Sequence, residues 1–308
     1  MKTLLAAALA ALTVVLAGGG ARADAPKIVL GYTAVGDCVA SFAAKEEGYF
    51  AKRGLDVDLQ LVNNSAILAT DIAAGAMQVG CNVPPVLLQA VNRGVDLVAV
   101  AGGSVSSPAQ KQTAIVTRAG LAIVSPRDLY GKNVGVGGIG SNGYIIFGQW
   151  LIGQHLDPKR VNFIEVPFST QYDVLRRGTV DAVVSTEPML ARILSDQTGD
   201  VVSYLAAPAG PPLGIYIGAR DWTSKNAASL AALRDAIADG AKFAGAHPDR
   251  AQQYIAQYLK QPLSVVQATH TSPLQSALTV KQMQWWVDAM KTQGFLTNPI
   301  DLGNLIAK

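Results

Sequence analysis

Cysteine and histidine are scarce in this 308-residue chain, with two of the first and three of the second. Two cysteines cannot fill a four-ligand zinc site, and no histidine lies near either in sequence. There is no His-Glu-x-x-His helix motif, and no Gly-x-Ser-x-Gly elbow with a plausible base. The histidines, His155, His247 and His270, sit in helix-like or helix-end contexts and read as surface or capping residues, not catalytic bases. Charge is also sparse, at 15% of residues against 50% hydrophobic, which excludes a disordered chain. Neither sign dominates. Setting aside Lys2 and Arg22 from the 25 basic residues leaves 23 against 22 acidic ones, a net charge of +1. Nucleic acid and anionic membrane are therefore not expected partners. Beyond the N-terminus, no apolar run approaches the roughly 20 residues that span a bilayer.

The N-terminus itself reads as a secretory leader. Lys2 gives a positive start, Leu4 to Ala17 is apolar except for Thr13, and Ala21-Arg22-Ala23 is a small-x-small cleavage site. The expected mature chain is 24–308, exported to the periplasm; an uncleaved anchor is the alternative. The absence of a cysteine near the site excludes lipoprotein attachment there.

The remaining chain repeats a strand–helix plan. Lys27 to Gly31 reads as a buried strand, Val39 to Arg53 as a helix, and Leu55 to Val62 alternates as a strand. Ser65 to Ala74 reads as a helix closed by Gly75, Met77 to Asn82 as a strand, and Pro84-Pro85 as the start of another helix. A second round runs from Lys132 to Pro188. The segment GAMQVGCNVPP (75–85) aligns without a gap on GTVDAVVSTEP (178–188). Two such units predict two α/β lobes, each a mostly parallel sheet flanked by helices, with ligand loops at the carboxyl ends of the strands. The expected lobes are 24–116 with 217–308, and 117–216. Thr113 to Arg118 and Leu213 to Arg220 are the expected crossings between them. The last 80 or so residues read as helices that pack back on the first lobe.

Several segments resemble the nitrate/sulfonate/taurine type of ABC-transporter substrate-binding proteins. They are AKEEGYFAKRGLDVDL (44–59), the run from Ala66 to Gly102, DLYGKNVGVGGIGSNGY (128–144) and LRRGTVDAVVSTEP (175–188). The resemblance implies a type II periplasmic binding fold that closes on a small solute and delivers it to a permease in the inner membrane. No catalysis, no cofactor and a monomer are expected. Two alternatives stay open: a sensor-linked binder, and a catalytic relative of the same fold that serves pyrimidine synthesis.

In such a fold the candidate ligand residues are Val35, Gly36, Asp37, Asn82, Val83, Ser104, Gly140, Ser141, Asn142, Tyr144, Phe168, Glu187 and Tyr216. The glycine-rich loop 137–144 enters a helix whose free N–H groups suit an anion. Ser141 either caps that helix or also touches the solute, and Asp37 is either a cap or a cleft carboxylate. The five expected cleft loops, 35–37, 82–84, 102–106, 140–142 and 186–187, contain no lysine or arginine. With the acidic pair Asp37 and Glu187, this favours a small organic solute, an aminosulfonate, a sulfonate or an amino-heterocycle, over a bare inorganic anion. Cys38 and Cys81 fall on neighbouring strands of this lobe type. They are either bridged or two buried thiols.

Overall fold

The computed structural model describes residues 27–107, 109 and 111–308; the expected leader and its cleavage site lie outside the described residues. The first lobe is built from β1 (Lys27–Tyr32), α1 (Val39–Glu46), β2 (Asp56–Leu61), α2 (Ser65–Ala73), β3 (Val79–Asn82), α3 (Pro84–Asn92) and β4 (Leu97–Val105). The chain then crosses to the second lobe. There it forms β5 (Thr113–Arg118), β6 (Asn133–Val136), α4 (Asn142–Gly153), β7 (Asn162–Glu165), α5 (Gln171–Arg176), β8 (Ala182–Thr186), α6 (Met189–Ser195) and β9 (Gly199–Leu205). It returns to add β10 (Pro212–Ala219), α7 (Arg220–Lys225), α8 (Ala227–Ala246), α9 (Pro248–Leu259), α10 (Leu263–Gln267) and α11 (Val280–Thr292).

Two five-stranded mixed sheets result, with orders β2-β1-β3-β10-β4 and β7-β6-β8-β5-β9. In each sheet one strand runs against the others: β10 in the first, β5 in the second. Both are the strands that follow a crossing. A chain arriving from the other lobe enters at the carboxyl ends of the parallel strands, so it must run back along them. Thr113 to Arg118 and Leu213 to Ala219 are therefore sheet strands, not connections. The chain passes between the sheets earlier, after β4 and after β9. The equivalence of 75–85 and 178–188 is seen in space, since β3 and β8 hold the same place in the two sheet orders.

Local chemistry sets the element ends. Pro84 and Pro85 occupy the first turn of α3, where a missing N–H costs nothing. Asn64 caps α2 by accepting the Ile67 N–H at 2.9 Å. Thr279 and Gln282 form a capping box at the start of α11. Helices α8 and α9 lie on α1, and a Cβ at Gly240 would collide with the Ala40 carbonyl, so glycine there permits the close approach. Helix α11 buries Trp286, whose indole N–H donates to the Pro212 carbonyl at 2.8 Å. Residues 272–277 run beside β4 as a strap, with Gly102 N–H on Ser276 and Val105 N–H on Pro273. The expected loop at 102–106 is thus largely strand. Among the described residues no helix is long and apolar enough to cross a membrane.

Candidate functional site

Between the lobes lie two neighbouring compartments that share the side chains of Asp37 and Gln112. The first is a slot of about 40 Å³ against the start of α4, lined by Val35, Val83, Ser141, Asn142, Phe168 and Thr186 among others. The second is a side compartment of about 430 Å³ that also reaches Gly36, Glu187, α8, α9 and the strap.

Asp37 sits in a short turn after β1. Its Oδ1 accepts the Ser104 hydroxyl at 2.7 Å and the Gln112 amide N–H at 3.4 Å. Ser104 is fully buried behind it and accepts the Gly214 N–H at 3.0 Å. No donor among the described residues bonds Asp37 Oδ2. Burial pushes the Asp37 carboxyl above its ordinary range, although the bonds from Ser104 and Gln112 pull the other way.

Gln112 is the residue the sequence reading missed. It ends the first crossing and ties three parts of the molecule together. Its amide donates to Asp37 of the first lobe, and its Oε1 accepts the Ser272 hydroxyl of the strap. Its carbonyl accepts the Glu187 N–H at 3.0 Å and the Thr186 hydroxyl at 3.1 Å in the second lobe. No motif marks it, because only the topology brings it to the cleft.

Glu187 faces the side compartment from the second lobe, and its peptide bond to Pro188 is cis. One carboxylate oxygen accepts the Ala191 N–H at 2.9 Å; the other lies 3.7 Å from Nδ1 of His270. His270, expected at the surface or as a cap, is exposed and also borders the side compartment. Desolvation pushes the Glu187 carboxyl up to about 7, against the lowering effect of the Ala191 and His270 N–H groups. A carboxyl whose folded pKa is raised binds its proton more tightly when folded. Its contribution to stability is fully present below about pH 4.5 and is lost as the pH rises through about 7. Asp37 acts in the same direction. Melting temperature followed from pH 4 to pH 8 is expected to fall across this window. Glu187→Gln should flatten the slope, and an unchanged slope would contradict the burial of this carboxyl.

The other predicted residues divide by place. Gly140 lies outside both compartments, and its carbonyl accepts the Gln89 amide of α3 at 3.1 Å. Ser141 caps α4, with the Tyr144 N–H at 3.5 Å. Asn142 reaches across to the Leu213 carbonyl at 2.6 Å, leaving its buried Oδ1 without a partner among the described residues. Phe168 lies over Gly137, where any Cβ would collide with the ring. Asn82 is turned inward, bonded to the Ser65 carbonyl and to the N–H of Val83.

Two predicted aromatic contacts are corrected. Tyr144 packs on Phe163 and Phe295, with ring centroids 4.4 and 5.3 Å apart, on the flank of α4 away from both compartments. Each helical residue turns about 100° from the last, so its neighbours Asn142 and Gly143 face the slot and Tyr144 does not. Tyr216 is fully buried, and its hydroxyl accepts the Ser41 N–H at 3.1 Å. It pairs with Cys81 in register, inside the first-lobe core, where burial pushes its pKa up to about 12.

Cys38 and Cys81 are joined as a disulfide, with Cα atoms 5.8 Å apart. Strands β1 and β3 are neighbours, which brings the turn after β1 to the end of β3. The bridge fixes the turn one residue from Asp37. Among the described residues no cluster of three or more His, Cys, Asp or Glu side chains forms a metal site.

Residues 37–251 match the family model described as NMT1/THI5 like. The chain belongs to the NMT1/THI5-like family. Among curated proteins, a formylaminopyrimidine-binding protein of Halalkalibacterium halodurans is 31% identical over 145 residues, which is 47% of this chain and 42% of that protein. The chain thus matches less than half the length of that relative. Solved structures agree on the fold. An alkanesulfonate-binding protein from Xanthomonas axonopodis pv. citri, bound to MOPS, superposes with a TM-score of 0.77 at 17% identity, covering 91% of this chain and 97% of that one. The periplasmic nitrate-binding protein from Synechocystis PCC 6803 superposes with a TM-score of 0.73 at 15% identity, over 90% and 83%. This NMT1/THI5-like chain therefore has the two-lobed periplasmic binding protein fold.

Proposed function

We propose that this protein is the exported, monomeric solute-binding component of an ABC importer. In this reading it works in the periplasm without chemical turnover. It captures a small organic solute between its lobes and hands it to a permease in the inner membrane. The solute carries an amino or amide donor edge.

The observation that carries this reading is Asp37. Its Oδ1 is held by Ser104 and Gln112, while Oδ2 meets no donor among the described residues, on the wall common to both compartments. Glu187 adds a second carboxyl, and no lysine or arginine is among the described residues that line either compartment. A free carboxylate attracts a donor and repels an anion. A bare nitrate or simple sulfonate would meet this wall unfavourably. An amino-heterocycle would present N–H donors to Asp37 and a ring nitrogen to the Gln112 amide. The partial match to a formylaminopyrimidine-binding protein supports the same class.

A thermal-shift panel of 4-aminopyrimidine, taurine, ethanesulfonate and sodium nitrate tests the reading. A ligand at 100 times its Kd stabilises the folded state by about 2.7 kcal/mol, which a melting curve registers clearly. 4-Aminopyrimidine is expected to raise the melting temperature, and ethanesulfonate and nitrate to leave it unchanged. A shift with nitrate or ethanesulfonate and none with 4-aminopyrimidine would overturn the reading.

A further inference from the structure

We infer that the solute has two parts, and that its larger, weakly polar part lies in the side compartment between α8, α9 and the strap. This inference rests on the reading of Asp37 as the anchor for a donor group.

The sizes of the two compartments decide it. The slot at the start of α4, where the open-sheet rule places the ligand, holds about 40 Å³. That is about a tenth of the space the side compartment offers. It cannot widen freely, because two hydrogen bonds join the lobes beside it. Asn142 of α4 donates to Leu213 of β10, and Gln89 of α3 donates to Gly140 of the glycine-rich loop. The side compartment holds about 430 Å³, within the roughly 300–1,000 Å³ of small-molecule sites. A solute that touches Asp37 in this arrangement finds most of the adjoining space on that side.

The walls say what that part is made of. Ala241 and Ala244 of α8 and Ala251 and Ile255 of α9 present small apolar surfaces there. Gly36 and Gly245 add lining without side chains. A Cβ at Gly245 would meet nothing within 4 Å, and one at Gly36 only Ile255 Cδ1 at 3.8 Å. Elsewhere the lining carries polar groups from Gln112, Glu187, Gln252, Thr269, His270 and Ser272, but the patch formed by Ala241, Ala244, Ala251 and Ile255 is small and apolar. Such a surface suits an alkyl substituent or the apolar face of a ring, with Asp37 and Gln112 holding the donor edge at the junction.

A ligand ladder tests this on the unaltered protein. Isothermal titration would compare 4-aminopyrimidine with its 5-methyl, 5-ethyl and 5-propyl derivatives. Burial of each added methylene is expected to tighten binding about fourfold. Gly245→Phe narrows the compartment from its rim and is expected to remove the advantage of the propyl compound over the parent. Gly36→Ala, which adds a single methyl, should reduce it less. A flat ladder with the parent still bound would overturn this inference and leave the reading of Asp37 standing. A rising ladder that Gly245→Phe does not diminish would also overturn it, since the alkyl group would then lie elsewhere. Binding by no member of the series would remove both.

Discussion

Asp37→Asn is expected to weaken binding of an amino-bearing solute roughly 10- to 100-fold while leaving the protein as stable as before, or more so. A hydrogen bond to a charged group contributes about 1.5–3 kcal/mol, and the substitution exchanges that acceptor for a neutral amide. The scaffold around it has little reason to change. Ser104 and Gln112 can still donate to the asparagine oxygen where they now meet Oδ1. Burial holds the native carboxyl above its ordinary pKa, so its charge costs stability in the folded state. Loss of binding together with retained or raised stability separates an anchoring role from a packing role. Titration calorimetry with 4-aminopyrimidine and a melting curve on each protein supply both readouts. Equal affinity in the two proteins would make Asp37 a packing residue of its turn.

Removing the bridge with Cys38→Ala and Cys81→Ala together is expected to lower the stability of the protein by about 4 kcal/mol. The two residues are 43 apart in sequence, and the loop-entropy account gives that figure for a loop of this length. Alanine is the suitable replacement because both cysteines are 1% exposed, and a serine hydroxyl there would be buried. Guanidinium unfolding of the two proteins measures the difference. The effect should reach the site as well, since Cys38 follows Asp37 directly and the bridge ties that turn to β3. Identical unfolding midpoints would show that the bridge contributes nothing to folding.

The halves of the molecule were legible where local pattern and tertiary role coincide. The glycine, strand and proline punctuation of 75–85 and 178–188 marks the third element of each unit, and β3 and β8 do occupy equivalent places. The chain direction of β5 and β10 was not legible. A reversed strand entering from the other lobe has the same apolar alternation as any extended run, so Thr113 to Arg118 and Leu213 to Arg220 read equally well as connections. Asp37 and Glu187 could be placed because each closely follows a recognisable strand. Gln112, Ser272 and His270 could not. They lie on segments without periodicity, and their positions depend on the strap pairing beside β4 and on where the crossing ends. Tyr144 and Tyr216 show the finer limit. Which way an aromatic side chain points is set by one residue of helix rotation in the first case. In the second it is set by the register of β10 against β3.

We propose that Asp37 holds the donor edge of an amino-bearing solute between the lobes. A crystal structure of the protein with 4-aminopyrimidine tests it most directly. The account predicts an amino nitrogen within about 3.2 Å of Asp37 Oδ2, with ring atoms extending toward α8 and α9. A ring seated at the start of α4, with its polar atoms on Ser141 and Asn142 and none on Asp37, would contradict it.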